Sequence, residues 1–164
     1  MNENQCNALW TAAASGDDFR IRQLLSHNTN PNDAVESLGY TALMAASFNG
    51  HIGAVDLLVN NGANVNAATD FGNTALMSAA MMGHEEVVDL LMRRQANANA
   101  RIKTTGYTAL MFAAENGHDD SVSILLYYGA DMRIKNIDGK SAIDLAYTKR
   151  IRDRLIAAKR HFQV

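Results

Sequence analysis

The sequence predicts an all-α solenoid in which about five helix-turn-helix units stack in a row. The first observation is a phrase that occurs three times with small changes: GYTALMAASFNGHIGAVDLLV at 39–59, GNTALMSAAMMGHEEVVDLLM at 72–92 and GYTALMFAAENGHDDSVSILL at 106–126. The second observation is the period. The residues that open successive copies are 33, 34 and 33 positions apart, at Thr41, Thr74, Thr108 and Ser141. A repeat of this length indicates a solenoid, because each copy is one structural unit that its neighbours complete.

Each unit is expected to begin with a short helix. The letters TAL follow a turn residue in each copy, and the side-chain oxygen of a threonine at the N-cap accepts a hydrogen bond from the first free amides of a helix. The helix should end after about two turns at Gly50, Gly83 and Gly117, since glycine adopts the left-handed conformation that a sharp reversal requires. A second helix is expected to begin at once.

The second helix of each unit carries an apolar stripe. Apolar residues recur at i, i+3 and i+4 in successive units, at Val55, Leu58 and Val59 and again at Val88, Leu91 and Met92. This spacing places them on one face of a helix. Neither helix of a unit can bury its stripe alone, so neighbouring units are expected to stack and share one continuous core.

The chain from 1 to 164 is expected to form a single domain whose first and last units are caps. The approximate unit boundaries are 5–37, 38–69, 70–103, 104–136 and 137–164. In the first unit Asn7 stands in place of the threonine and Asp17 in place of the histidine that follows the turn glycine. The last unit keeps the first helix, loses the GH dipeptide and places charges around its second helix. One side of each terminal unit should therefore face solvent.

Composition narrows the class of protein. Hydrophobic residues make up 48% of the chain, charged residues 20%, and the formal net charge is -2, so neither disorder nor a polyanion-binding bulk charge is indicated. Cys6 is the one cysteine, which excludes an internal disulfide framework and a cysteine zinc cluster, and fits a reducing compartment. No basic leader with an apolar core and no long apolar segment occurs, so we expect neither ordinary export nor a membrane span, and a cytoplasmic location. Export by a specialised route stays open.

At this point the sequence resembles the ankyrin repeat family. The pattern TALM…A…GH…V…LL…GA followed by Asn or Asp recurs at 41–66, 74–99 and 108–131, and the family signature has a period near 33 with T-P-L-H-x-A. The resemblance covers nearly the whole chain and implies β-hairpin-like loops between units. Two positions depart from it. Alanine replaces the family's proline at Ala42, Ala75 and Ala109, and methionine replaces the family's histidine at Met44, Met77 and Met111. We expect these methionines to fill core space instead.

Residue types that could carry chemistry have structural interpretations here. His51, His84 and His118 occupy one repeat position and should lie roughly 10 Å apart in successive units, whereas metal ligands converge on one point. The acidic pairs lie in the first turns of second helices, where they complement the helix dipole: Asp17 with Asp18, Glu85 with Glu86 and Asp119 with Asp120. No phosphate-binding glycine loop, HExxH or G-x-S-x-G motif occurs. The sequence therefore predicts no enzyme, no metal site and no cofactor.

Three further features have a functional and a structural interpretation. From Lys149 onward the chain has six Lys or Arg residues against one acid, which suits either a polyanion contact or a solvated capping helix, and we favour the capping helix. Asn32, Asn66 and Asn99 stand where some ankyrin-repeat proteins carry hydroxylated asparagines, but they are first of all turn residues. Cys6 near the terminus has no fixed partner that would make it a nucleophile.

The resemblance implies a protein partner bound on the concave side, formed by the loop tips and the exposed positions of the first helices. Matching positions in this chain are those where the copies differ most, and several of them are large and apolar. They are Leu38, Tyr40, Phe48, Asn49, Asp70, Phe71, Asn73, Met81, Met82, Thr105, Tyr107, Glu115, Asn116, Ile137, Asp138 and Lys140.

The sequence therefore predicts a protein–protein interaction module that recognises its partner with a preorganised surface. We expect no nucleic-acid partner, no membrane contact and a monomer on its own. A different biological role with the same chemistry stays open: an inhibitor, an immunity-type protein or a secreted effector that neutralises an enzyme or a host target.

Overall fold

The computed structural model describes residues 3–35 and 38–161, and these residues form ten helices and one short hairpin. The elements, in chain order, are α1 Glu3–Ser15, α2 Asp18–Ser26, β1 Ala34–Val35, β2 Tyr40–Thr41, α3 Ala42–Phe48, α4 Ile52–Asn60, α5 Ala75–Met82, α6 Glu85–Arg93, α7 Ala109–Glu115, α8 Asp119–Tyr127, α9 Ala142–Leu145 and α10 Lys149–His161. The helices pair as five successive units, as the sequence predicts.

The five units stack into two layers of helices. The first helices pack side by side in the order α1, α3, α5, α7 and α9, and the second helices pack in the order α2, α4, α6, α8 and α10. Within a unit the two helices also contact each other. This arrangement is a solenoid, in which each unit contacts chiefly the units before and after it.

The threonines begin the first helices as the sequence predicts. Thr41 Oγ1 accepts a hydrogen bond from the amide of Met44 at 3.4 Å, and Thr74 and Thr108 make the same bond at 3.3 Å with the amides three residues on. In the last unit Ser141 and Asp144 form a capping box. The repeated N-cap fixes where each first helix starts, and hence where the preceding loop must end.

The core lies between the two layers and runs the length of the solenoid. Leucines from first helices and from second helices meet there at full burial: Leu43, Leu58, Leu76, Leu91, Leu110 and Leu125. Met44, Met77 and Met111 are at most 3% exposed, so the thioethers do fill core space. The side chains of Val55 and Val88 are fully buried as well. The expected apolar stripe is therefore the wall that neighbouring units share.

The histidine after each turn glycine joins its unit to the preceding one. The Nε2 atoms of His51, His84 and His118 lie 3.1, 3.0 and 3.0 Å from backbone carbonyl oxygens of the preceding unit. A carbonyl only accepts, so each Nε2 carries the hydrogen and donates it. Each ring also rests on the turn glycine of the preceding unit.

The loops between units form hairpin-like projections that are bonded to one another. β1 pairs antiparallel with β2, and a single bridge joins Ala68 to Thr74 in the next loop. Backbone bonds also run between successive loops, from Asp70 N to Leu38 O at 3.1 Å, Lys103 N to Phe71 O at 2.8 Å and Ile137 N to Thr105 O at 3.0 Å. The projections therefore form one continuous ridge along the first-helix layer.

The turn asparagines link successive units. Asn32 donates to Gly62 O at 2.9 Å and accepts from the amide of Asn64 at 2.6 Å. Asn66 makes the equivalent pair of bonds with the next unit, and Asn99 accepts from the amide of Asp131 at 2.8 Å. These side chains satisfy backbone groups of the neighbouring turn, which is the structural role expected of them.

The terminal units differ from the sequence expectation in detail. Helix α1 begins at Glu3 rather than after Asn7. Helix α9 has only four residues, and no histidine follows it. Instead Tyr147 covers Gly117, with its ring 3.3 Å from the position that a Cβ would take, and its amide donates to Ala114 O at 3.0 Å. Tyrosine thus takes the histidine's place at the last junction.

Among the residues that the structure describes, no helix combines the length and the apolar character needed to cross a membrane.

Candidate functional site

The candidate binding site is the surface made by the C-terminal ends of the first helices and the ridge of loops beside them; we call it the first-helix face. Each middle unit contributes the last residues of its first helix and the tip of its loop. The sixteen residues predicted from the sequence lie on these segments. The first helices place Phe48, Asn49, Met81, Met82, Glu115 and Asn116, and the loops place Leu38, Tyr40, Asp70, Phe71, Asn73, Thr105, Tyr107, Ile137, Asp138 and Lys140.

Large apolar side chains are exposed on this face. Their exposed fractions are 37% for Leu38, 39% for Tyr40, 41% for Phe48, 45% for Phe71, 43% for Met82 and 69% for Ile137. Isolated exposed apolar residues are ordinary on protein surfaces. Here they recur on one side of the solenoid, on the loop tips and first-helix ends of successive units, which is the arrangement expected of an interaction surface.

Four of the predicted residues are only partly accessible: Asn73, Met81, Thr105 and Tyr107. Asn73 is held by its own loop, since its amide group donates to Thr69 Oγ1 at 3.4 Å. The Tyr107 hydroxyl donates to Glu115 Oε1 at 3.1 Å, which ties the loop of the fourth unit to the end of α7. These contacts orient side chains that would otherwise be mobile.

Tyr107 packs on Phe112, a residue that the sequence analysis does not select. The ring centroids are 5.0 Å apart and the planes are tilted by 45°, within the range of favourable aromatic pairs. Burial raises the pKa of the Tyr107 phenol, and the neighbouring Glu115 carboxylate raises it further, while the Asn136 side chain acts in the opposite direction. The matching positions in the second and third units are the small residues Ala45 and Ser78. The replacement of a small residue by phenylalanine is the sequence signal that could have identified Phe112.

Among the described residues, the first-helix face carries three exposed carboxylates, on Asp70, Glu115 and Asp138. None of them forms an ion pair with any residue in the described part of the chain. Lys103 and Lys140 are exposed on the same loops. The face therefore combines exposed apolar side chains with polar and charged groups.

The histidines and the acidic pairs have structural contacts in the described part of the chain. No group of three or more His, Cys, Asp or Glu residues that could hold a metal ion occurs within the described ranges. Glu85, Glu86, Asp119 and Asp120 lie in the first turns of α6 and α8 as expected. Asp17 differs, because it is the N-cap of α2 and accepts from the amide of Arg20 at 2.9 Å.

Cys6 is part of a local contact with the first loop. Its thiol donates to Asp33 Oδ2 at 3.4 Å, and burial together with this carboxylate raises the pKa of the thiol. A raised pKa reduces the fraction of the nucleophilic thiolate. This agrees with the expectation that Cys6 is not a nucleophile.

The basic C-terminal segment is a capping helix in the described structure. Ile151 and Leu155 of α10 are fully buried. Arg154 and Arg150 both bind the Asp119 carboxylate, at 2.8 and 3.0 Å. Two of the six Lys or Arg residues of the segment therefore fasten the cap to α8.

Some exposed aromatic residues lie away from the first-helix face and were not predicted. Phe19 on α2 is 79% exposed and Tyr127 at the end of α8 is 84% exposed. Both belong to the second-helix layer, at positions where the other units carry a small or polar residue. They provide controls of matched chemistry for tests of the first-helix face.

Comparison with known proteins agrees with the geometry. The family model described as Ankyrin repeats (3 copies) matches residues 1–69 and 66–136. A curated human protein, Ankyrin repeat domain-containing protein 39, is 39% identical over 59 residues, which is 36% of this chain and 32% of that protein. The match thus spans about a third of the human protein's length. Since the family model covers well over half of the chain, and its repeats are the stacked helix pairs described above, the chain belongs to the ankyrin repeat family.

Proposed function

We propose that this chain binds a partner protein through the first-helix face, which corresponds to the concave side in the ankyrin family. Ankyrin repeats are in general protein–protein interaction modules. The observation that carries the proposal is the set of exposed apolar side chains on one side of the solenoid, led by Phe48, Phe71 and Met82. Aromatic residues and methionine are enriched at the centres of protein interfaces.

The rigidity of the scaffold supports the same proposal. The loops that carry the apolar residues are bonded to one another through the backbone, as in the bond from Lys103 N to Phe71 O. The side chain of Asn66 and the ring of His84 add further bonds between units. A surface that is ordered before binding loses little conformational entropy when a partner docks, and this raises the affinity that a given contact area provides.

The cysteine and the repeat histidines have structural contacts. The Cys6 thiol has a raised pKa, and the histidines donate their Nε2 hydrogens to backbone carbonyls. With a single cysteine the chain has no internal disulfide to maintain, so we propose that it acts in a reducing compartment such as the cytoplasm.

Photo-crosslinking tests where a partner docks. A photoreactive phenylalanine analogue is placed at Phe71 in one variant and at Tyr127 in a second, which is a more exposed aromatic position on the second-helix layer. We expect the Phe71 variant to crosslink a discrete protein in an extract from the source cells, and the Tyr127 variant to crosslink it at least tenfold less. Equal yields, or a higher yield at Tyr127, would move the interface to the other layer.

Substitution tests whether the apolar side chains supply affinity. The double variant Phe48→Ala, Met82→Ala should lose most of the crosslinked product while its helical circular dichroism is unchanged. The matched control Phe19→Ala, Tyr127→Ala removes two exposed aromatic side chains from the second-helix layer and should leave the product unchanged. Mass spectrometry of the product names the partner, which decides between a scaffold and an inhibitor or effector.

A further inference from the structure

Two rows of matching positions on the first-helix face change from apolar to acidic along the solenoid. Matching positions at the loop tips read, from the second unit to the last, Leu38, Phe71, Thr105 and Asp138. Matching positions at the ends of the first helices read Phe48, Met81 and Glu115. Both rows begin apolar in the second unit and reach an acidic residue, Glu115 in the fourth unit and Asp138 in the last. The two rows lie on different secondary-structure elements, the first-helix ends and the loop tips.

The negative charge at the acidic end is open to a partner. Glu115 is exposed and accepts a hydrogen bond from the Tyr107 hydroxyl, but in the described part of the chain it forms no ion pair. Asp138 is exposed and lies near enough to the Tyr107 hydroxyl to act on it electrostatically. Lys103 and Lys140 are exposed on the neighbouring loops, but neither forms an ion pair with Glu115 or Asp138 in the described part of the chain.

An aromatic surface lies beside this charge. The Tyr107 and Phe112 rings pack together, and the Tyr107 hydroxyl donates to the Glu115 carboxylate. A carboxylate next to an aromatic ring suits a cationic side chain, since the cation pairs with the carboxylate and also contacts the face of the ring.

We propose that the partner presents one continuous segment whose apolar side chains cover Phe48, Phe71 and Met82 and whose lysine or arginine pairs with Glu115. This rests on the proposed function, and it names the chemistry of the segment that the first-helix face selects. Glu115 lies two units beyond Phe48, and neighbouring helices pack about 10 Å apart, so the two ends are roughly 20 Å apart. A partner helix of about 13 residues, or an extended segment of about six, spans that distance.

A random peptide library tests the proposal without a known partner. Random segments of about 16 residues, long enough to span the face as a helix, are displayed on phage and selected on the immobilised full chain. Parallel selections use Glu115→Gln, Glu115→Lys and the control Glu86→Gln, an exposed carboxylate on α6 in the second-helix layer. We expect the parent and Glu86→Gln to enrich segments with an apolar cluster and a lysine or arginine on one side of it.

The charge variants should change the selected sequences in a defined way. A basic peptide from the parent selection should bind Glu115→Gln about fivefold more weakly, the effect of losing one partly screened ion pair. Glu115→Lys should enrich segments with Asp or Glu in place of the basic residue. Both effects should shrink in high salt.

Three results would overturn the inference. The first is enrichment of peptides without a basic residue that depend on Phe48 and Met82 but not on Glu115, and this leaves the proposed function standing. The second is enrichment of peptides whose binding no substitution on the first-helix face weakens, which argues against both. The third is the absence of any enriched peptide; it rejects a linear segment as the ligand, while the crosslinking experiment still decides the proposed function separately.

Discussion

The junction between Gly83 and His118 gives the sharpest test of how the units are held together. Gly83 has φ +75°, and a Cβ added there would lie 2.4 Å from Nδ1 and 2.6 Å from Cε1 of the His118 ring. The same ring donates its Nε2 hydrogen to Met81 O at 3.0 Å. Substitution Gly83→Ala should therefore strain the backbone and also push the imidazole away from the carbonyl that it binds.

A matched glycine separates these two costs. Gly129 has φ +84°, and no atom of the described residues lies within 4 Å of an added Cβ. Gly129→Ala should therefore lower the free energy of unfolding only by the left-handed strain, about 1 kcal/mol. At Gly83 the displaced ring adds overpacking of about 1 kcal/mol or more and a lost hydrogen bond of about 1 kcal/mol. Gly83→Ala should therefore lower the free energy of unfolding by about 3 kcal/mol, roughly 2 kcal/mol more than Gly129→Ala does. Gly117→Ala, facing Tyr147 at 3.3 Å, should fall between the two.

Equilibrium urea unfolding followed by circular dichroism measures these differences. In a His118→Ala background the extra cost of Gly83→Ala should nearly disappear, because the atom that the methyl meets is gone. Equal destabilisation by Gly83→Ala and Gly129→Ala would refute the argument. A penalty at Gly83 that persists without the His118 ring would refute it as well, since the cost would then lie in the backbone alone.

Two further substitutions should stabilise the chain. Ser47 is fully buried, and its hydroxyl finds no hydrogen-bond partner among the residues that the structure describes. The matching residues in the next two units are Ala80 and Ala114. Ser47→Ala should raise the free energy of unfolding by about 1 kcal/mol. The Ser78 hydroxyl donates to Thr74 O at 3.2 Å, so Ser78→Ala should give a smaller gain. Equal gains in the two variants would contradict the reasoning. Gln95 has φ +64° where matching turns have Gly62 and Gly129, so Gln95→Gly should raise the urea midpoint by the equivalent of about 1 kcal/mol, and an unchanged or lower midpoint would count against left-handed strain at that turn.

The sequence alone predicts the parts of this fold that depend on neighbours in the chain. A threonine cap bonds an amide three residues on, as Thr74 does with Met77. A turn glycine supplies its own backbone conformation, and an i, i+3, i+4 stripe marks a buried face such as that of Val88 and Leu91. Repetition of these local signals at a constant period is enough to predict the solenoid and its register.

The candidate site is predicted less completely, because exposure depends on residues that are distant in the chain. Phe48, Phe71 and Met82 are exposed as expected. Tyr107 is turned onto Phe112 and the Glu115 carboxylate, which no repeat pattern indicates.

The tertiary structure also decides how the last units close. Tyr147 replaces a histidine against Gly117, and Arg154 reaches Asp119, 35 residues away, at 2.8 Å. Such contacts form only once the helices have stacked, and their energies depend on distances that local propensity does not set. The sequence therefore predicts the repeat and its helices. The junction contacts and the accessible part of the first-helix face depend on how the units pack.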